Sequence, residues 1–431
     1  MFISECLSVN EYGHLTIGGM DAVVLAQQYG TPLYCLSEEQ LRSACRAYTE
    51  AMQTHYGADS LVTYASKALN CKEICRIIYQ EGLGIDVASG GELYTAMAVK
   101  FPTEKIFFHG NNKTMDELIY AVECGVGYIV VDNVYELESL NAVAKAKGIK
   151  QNILLRIKPG VEAHTHEFIK TGSIDSKFGF ALENGEAILG VEKAIGYDSL
   201  EYKGLHCHIG SQIFDTEPFC EAARVMLRFI KEILDRFGST TEILDLGGGF
   251  GIKYTPQNEP SAPEDIIEEV SGVIAAECSV LGIERPRMVI EPGRAIVAPA
   301  GITLYTIGCI KEIKDVRTYV TVDGGMTDNP RYALYGSEYT MVVANKAGTP
   351  ADMKVTVAGR CCESDPLQEN TYIQNAEVGD ILAVLGTGAY NYSMASNYNR
   401  VRRPAMIMIN SGEARIIVNR ESYEDIIRND V

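Results

Sequence analysis

The sequence predicts an α/β barrel, a TIM-like (β/α)8 fold, followed by an all-β domain. Between residues 36 and 300, short apolar runs alternate with amphipathic helical patterns eight times. Eight alternations over about 250 residues match the length and period of a (β/α)8 barrel. Beyond residue 300 the helical periodicity gives way to β-branched and aromatic runs joined by turn-rich segments. The residues that follow the predicted barrel strands are polar or glycine-rich, as expected where strand ends build a functional rim. A doubly wound open sheet shows the same alternation, so periodicity alone leaves it as an alternative.

Residues 1–35 contain short strand-like pieces, Leu15–Ile17 and Pro32–Cys35, divided by Gly13, Gly18, Gly19 and Gly30. They are too short to fold alone and are assigned, with residues 301–431, to the β-rich domain. The barrel strands are expected at Leu61–Ala65, Gly84–Val87, Ile106–Phe108, Tyr128–Val131, Ile153–Ile157, Tyr202–Cys207, Ile243–Leu246 and Met288–Ile290. Helical patterns fill the intervals at Met115–Cys124, Val134–Lys147, Pro218–Phe237 and Pro263–Leu281, and another begins near Cys71. In the last third, strands are expected at Ile302–Ile307, Thr318–Val322, Met353–Val357, Ile381–Leu385 and Ala405–Ile409. No internal repeat or long linker separates the two parts.

A formal net charge of -19 and a pI near 4.9 argue against nucleic acid or an anionic membrane as partner, because both reward clustered Lys and Arg. Small metabolites remain. No apolar run approaches the roughly 18 residues that span a bilayer, and the first residues lack a basic stretch before an apolar core, so a cytoplasmic location is expected. The 12 cysteines are scattered without zinc-ribbon spacing and read as reduced thiols, mostly packed as small hydrophobes.

The chemistry gathers at the strand ends. The first strand delivers Lys67, and the second runs into Asp86 and the turn Ser89-Gly90-Gly91-Glu92. The sixth ends in His206-Cys207-His208-Ile209-Gly210-Ser211, the seventh in Asp245-Leu246-Gly247-Gly248-Gly249, and the eighth in Glu291-Pro292-Gly293-Arg294. On its own stretch Lys67 reads as a solvated turn residue, since an amine becomes a nucleophile only when burial or neighbouring charge depresses its pKa. The glycine turn alone reads as a tight strand-to-helix connection. Together the picture changes. A glycine turn lets backbone N–H groups approach an anion, and Ser211 and Arg294 add donors, which makes a phosphate cradle. A phosphate site, an imine-forming amine and a rim carboxylate suit pyridoxal phosphate, with Glu291 the candidate for its ring nitrogen. The plainer reading of Glu291 is a salt bridge to Arg294. His208 either stacks on a flat ring or, with His206 on the same strand face and His164 and His166 elsewhere, binds a metal. No carboxylate completes that set by spacing.

The motifs Tyr-Ala-Ser-Lys-Ala, Ser-Gly-Gly-Glu-Leu, His-Cys-His-Ile-Gly-Ser-Gln, Gly-Gly-Gly-Phe-Gly, Glu-Pro-Gly-Arg, Gly-Gly-Met-Thr-Asp-Asn-Pro-Arg, Cys-Glu-Ser and Gly-Ala-Tyr run from Tyr64 to Arg403. In order and spacing they resemble the diaminopimelate decarboxylases, of the alanine-racemase-like, fold type III group of pyridoxal-phosphate enzymes. The resemblance implies a barrel plus a β domain that takes in the N-terminal strands, in a head-to-tail homodimer whose sites are completed by the partner's C-terminal segment. It implies decarboxylation of meso-2,6-diaminopimelate to L-lysine.

By the same resemblance, Lys67 carries the cofactor, His208 stacks on its ring, Glu291 takes the pyridine nitrogen, and Ser211, Gly248, Gly249, Gly293 and Arg294 surround the phosphate. Arg294, Arg331, Tyr335, Glu363 and Tyr390 fall at substrate positions, with Tyr390 also near the phosphate and Cys362 near the reacting carbon. The substrate bears an amino-acid group at each end, so its distal carboxylate suits the guanidinium of Arg331 and its distal ammonium the carboxylate of Glu363. The proton that replaces CO2 is assigned to Cys362 or Lys67. Two departures stand out. The chain reads Cys362-Glu363-Ser364-Asp365 where the family often has Cys-Glu-Ser-Gly-Asp, and Lys67-Ala68-Leu69-Asn70 where Lys-Ala-Asn is commoner. Rival readings are an ornithine or arginine decarboxylase of the same fold, a metal-dependent barrel hydrolase, and a cofactor-binding regulator without turnover.

Overall fold

Eight parallel strands close on themselves: β1 (Ser60–Ala65), β2 (Gly84–Val87), β3 (Ile106–Phe108), β4 (Tyr128–Val131), β5 (Gln151–Lys158), β6 (Leu200–Cys207), β7 (Ile243–Asp245) and β8 (Arg287–Ile290). They come from a computed structural model that describes residues 2–161, 176–363 and 365–431. Each strand pairs with its successor, and β8 returns to β1 through Met288↔Ser60, Val289↔Leu61 and Ile290↔Val62. That closure removes the open-sheet alternative. Strands β5 and β6 begin two residues earlier than their apolar patterns, because Gln151 and Leu200 already share the ladder.

One barrel layer is filled by Phe107, Val130, Leu154, Ile243 and Val289, one residue each from five strands. The apolar alternation of short strands is thereby explained: inward side chains interlock across the barrel. Outside lie helices such as Met115–Cys124, which starts on a Thr114–Glu117 capping box and stops at left-handed Gly125. Lys72–Gln80, Gly90–Ala98 and Glu186–Ile195 complete the alternation where sequence periodicity was weak or short. The barrel comprises Cys45–Gly251 and Pro260–Gly293.

A second unit comprises Met1–Ala44, Ile252–Glu259 and Arg294–Val431. Its main sheet runs Pro366–Ile373, Met353–Ala358, Arg317–Val322, Gly301–Ile313, Leu33–Ser37, Ala405–Asn410, Glu413–Val418. Leu33–Ser37 sits between Gly301–Ile313 and Ala405–Asn410, so the N-terminal strand completes a sheet built by the C-terminal third. Its core joins Leu15, Ile17, Leu25, Leu33, Ile302, Leu304, Leu385 and Ile407. The strand Pro366–Ile373 escapes sequence pattern because most of its solvent-facing side chains are polar, whereas Glu413–Val418 is mostly apolar and partly exposed along its length. Among the described residues, no helix is long and apolar enough to cross a membrane.

Candidate active site

Every barrel strand places a polar group at its C-terminal end: Lys67 after β1, Asp86 in β2, His109 after β3, Asp132 after β4, Arg156 in β5, His206 in β6, Asp245 in β7 and Glu291 after β8. Strand alternation turns these side chains inward, and the inward position two residues below each is apolar in six strands and glycine, Gly84 or Gly204, in the other two. A water-poor floor therefore carries a ring of charges at one end of the barrel.

Glu291 is buried at the centre of this ring. His109 Nε2 lies 2.8 Å from its Oε1 and His206 Nε2 lies 3.4 Å from its Oε2, with the two imidazoles edge to face at 4.9 Å. The His109 contact is close but misaligned, so both atoms lack a hydrogen bond. Burial alone would raise the Glu291 pKa, but the two histidines outweigh it and hold the carboxyl well below its usual range. Burial pushes His206 down to about 3, so it supports Glu291 as a neutral ring and not as a charge. Asp245 behaves oppositely. Burial, and then the negative charge of Glu291, raises it well above the usual range, so this carboxyl is the protonated member of the pair. Asp86 is raised to about 6 by burial, against the pull of His109, 3.8 Å away.

The glycine turn after β7 is wedged in place. Gly247 and Gly249 have φ of 67° and 113°, in the left-handed region. A Cβ at Gly248 would stand 2.1 Å from the Glu291 carbonyl oxygen, and one at Gly249 would stand 2.5 Å from that of Gly210. The Gly248 N–H donates to His208 Nδ1 at 3.3 Å. Accepting there requires a neutral ring, and burial followed by the Lys67 charge does lower His208, a half-buried residue, well below its usual pKa. Lys67 itself is exposed, in the 3-10 turn Ser66–Ala68 that caps β1, and its charge acts on Asp86, Glu92 and His208. The next tight approach is Gly293, where a Cβ would meet the Ala65 carbonyl oxygen at 2.8 Å.

The second unit gathers its own cluster. Arg294 Nη1 donates to the Tyr254 hydroxyl at 2.7 Å, and its guanidinium lies 4.7 Å from the Tyr390 ring centroid. Arg331 lies 5.3 Å from the same ring and 5.6 Å from that of Tyr335, and it donates to Ser337 at 3.2 Å. Both guanidiniums are buried, and Arg331 Nε finds no acceptor. Tyr390 takes a left-handed φ of 63°, beside a turn that the buried Asn391 ties to Thr387 and Ala389. Cys362 and Glu363 are exposed on a separate segment: Asn399 accepts the Cys362 N–H at 2.9 Å, and the Tyr398 hydroxyl donates to Glu363 at 2.9 Å. Cys361 is half-buried, and burial pushes its thiol up to about 11.

These residues fit pyridoxal phosphate. The turn at Gly247–Gly249 admits no side chain, Glu291 is a buried carboxylate with an oxygen lacking a hydrogen bond, and Lys67 stands on the same rim. A model of the pyridoxal-binding domain of pyridoxal-dependent decarboxylases matches residues 38–298. The diaminopimelate decarboxylase of Bacillus subtilis (strain 168) is 46% identical over 100% of this chain and 98% of its own length. That of Bacillus methanolicus is 47% identical over 98% of both. The chain belongs to the diaminopimelate decarboxylase family. The fold agrees: the crystal structure of the M. jannaschii diaminopimelate decarboxylase in complex with L-lysine superposes with a TM-score of 0.93 at 35% identity, covering 100% of this chain and 99% of that one.

Within this diaminopimelate decarboxylase fold, His206 and His208 are the two histidines of the metal reading that lie among the described residues. His206 converges with His109 and Glu291, the one set whose atoms could surround an ion among the described residues. His208 lies beyond the end of β6 and turns to Gly248. His164, His166 and Ser364 lie outside the described residues. His109, Asp86, Arg156 and Tyr254 escaped the sequence reading as site residues. A signal existed for the first two, since each sits at the end of a predicted barrel strand.

Proposed function

We propose that this chain decarboxylates meso-2,6-diaminopimelate to L-lysine and CO2, with pyridoxal 5′-phosphate held at the barrel mouth through Lys67. When bound, the cofactor supplies an electron sink for the electron pair left on the substrate carbon as CO2 departs. The observation that carries this reading is Glu291: a buried carboxylate kept ionised, with an oxygen lacking a hydrogen bond, on the rim that bears Lys67 and the glycine turn. An ionised acceptor there keeps a pyridine nitrogen protonated. His208, flat and neutral, would stack on the ring, and Ser211, Gly248, Gly249, Gly293 and Arg294 would hold the phosphate.

Arg331 binds the distal carboxylate and Glu363 the distal ammonium, with Arg294, Tyr335 and Tyr390 completing the substrate contacts. The proton for the vacated carbon comes from Lys67 Nζ or Cys362 Sγ. We further assign a homodimer in which the partner's C-terminal segment completes each site, and a cytoplasmic location, which the 12 cysteines, none of them joined in a disulfide among the described residues, support.

The test is CO2 release by the purified protein with meso-diaminopimelate and, separately, with ornithine. Preference for diaminopimelate is expected, because ornithine offers Arg331 no second carboxylate, and better turnover of ornithine would overturn the substrate assignment. Lys67→Ala should abolish the borohydride-fixable cofactor; a variant that still forms it at the original level removes Lys67 from its role.

A further inference from the structure

Three side chains on the barrel floor form a set that the decarboxylase reading uses only in part. His109 follows β3, His206 lies in β6 and Glu291 follows β8, and all three are buried. His109 Nε2 lies 2.8 Å from Glu291 Oε1 and His206 Nε2 lies 3.4 Å from Glu291 Oε2, and one ligating atom from each residue lies within 4.8 Å of the other two. Among the described residues, His109 Nε2, His206 Nε2 and Glu291 Oε1 find no hydrogen-bond partner. Buried polar atoms nearly always find one, so three that lack it within one small volume point to a ligand. A pyridine N–H answers the carboxylate and leaves both imidazole nitrogens unanswered. The backbone holds the set in place: the His109 N–H donates to Val87 O at 2.7 Å, the Glu291 N–H to Gly247 O at 2.8 Å, and His206 is laddered between Arg156 and Asp245.

We propose that the cofactor-free chain binds one divalent transition-metal ion of the zinc class through His109, His206 and Glu291, and that this ion and pyridoxal phosphate exclude one another. Two imidazoles and one carboxylate are the donors of open zinc sites, in which three protein ligands leave a fourth position for water. Ligands of a tetrahedral zinc ion stand roughly 3.3–3.6 Å apart. The two histidine–carboxylate contacts lie either side of the lower figure, so small side-chain shifts admit the ion. Asp86 Oδ1, 3.8 Å from His109 Nε2, adds negative charge alongside. Two features temper the affinity. His206 Nδ1 has no partner to raise the basicity of that ligand, and Arg156 and Lys67 bring positive charge to the same rim. The exclusion rests on the reading that Glu291 receives the cofactor's ring nitrogen, since a metal ion and a protonated pyridine at one carboxylate repel. Such a site is a reversible brake on cofactor loading.

The experiment titrates cobalt(II), which occupies zinc sites and reports its coordination through visible d–d bands, into the full chain stripped of cofactor, into the chain reconstituted with pyridoxal phosphate, and into cofactor-free His109→Ala and His206→Ala. One ion per chain with the intense bands of a four- or five-coordinate site is expected in the cofactor-free protein. Binding should weaken about a hundredfold or more in either variant and be absent after reconstitution. No binding by the cofactor-free protein, bands unchanged in both variants, or thiolate-to-cobalt charge transfer, which would place the ion on cysteine, overturns the site. Should the variants fail to fold, competition in the wild-type chain decides. Bands that fade in proportion to the cofactor taken up support the proposal, and bands that persist at full cofactor occupancy overturn it. A chain that binds cobalt(II) through these residues but never takes up pyridoxal phosphate refutes the functional reading instead, and the metal site stands apart from it.

Discussion

Replacing Glu291 by glutamine removes one charge from the barrel floor and almost nothing else. The amide keeps the volume and shape of a side chain that is 4% exposed, so the packing around it survives. Two things change. His109 and His206 lose the anion that lies 2.8 and 3.4 Å from their Nε2 atoms, and any protonated ring nitrogen loses an ionised acceptor. Removing one partner of a buried charged pair costs about 3–5 kcal/mol. If the interaction is made fully as the substrate carbon gains charge, that loss corresponds to roughly a 10²- to 10⁴-fold fall in kcat, at 1.36 kcal/mol per decade. The neighbouring Asp245 moderates the fall. Its pKa is raised by burial and then by the Glu291 charge, so in Glu291→Gln it ionises more readily and replaces part of the missing charge. The assay is kcat and KM for meso-diaminopimelate, with the absorbance of the bound cofactor followed against pH. A variant that keeps kcat within about threefold, less than 1 kcal/mol of barrel-floor electrostatics, refutes the assignment of Glu291 to the ring nitrogen.

Two further predictions concern stability. Lys113 is buried and donates to Glu136 at 2.6 Å, Val130 O at 2.7 Å and Gly110 O at 3.0 Å, so Lys113→Met should cost about 3–5 kcal/mol in urea denaturation, while the double variant with Glu136→Leu recovers most of it; equal losses in single and double variants would count against the ion pair. Asp328 is pushed up to about 7 by burial, despite hydrogen bonds from Tyr305, Gly325 and Thr327. The folded state then holds its proton more tightly than the unfolded chain, so this contribution is fully present below about pH 4 and is lost as pH rises to about 7. In Asp328→Asn the pH dependence of stability across that window should flatten, and an unaltered slope would show that Asp328 does not titrate there.

How far the site could be read in advance follows from what makes each residue visible. Lys67, Glu291 and the glycine turn announce themselves because each interrupts or follows a short apolar run, and in a closed barrel every such position is brought to one rim. Arg331, Cys362 and Glu363 have no such periodic marker and were reached through motif resemblance. His109 was passed over although it follows Phe108 at the end of a predicted strand, because an isolated histidine in sequence carries no sign of its neighbours. His206 was grouped with His208 by strand period, but the strand ends at Cys207, and beyond it the chain turns His208 to the backbone of Gly248.

The sequence by itself determined the alternation of strand and helix, the β-rich remainder and the rim on which the chemistry sits, because periodicity and turn residues are local properties of the chain. Tertiary structure alone decided which groups share a proton or a charge. Glu291 is ionised and Asp245 protonated because β7 and β8 are neighbours in a closed barrel, with β3 and β6 supplying the two histidines. Asp365 reaches Met326 and Cys361 because strands far apart in sequence return their connecting segments to one place. Such pairings depend on distances between segments remote in the chain, and on the low dielectric that burial creates around them, neither of which a local pattern of residues encodes.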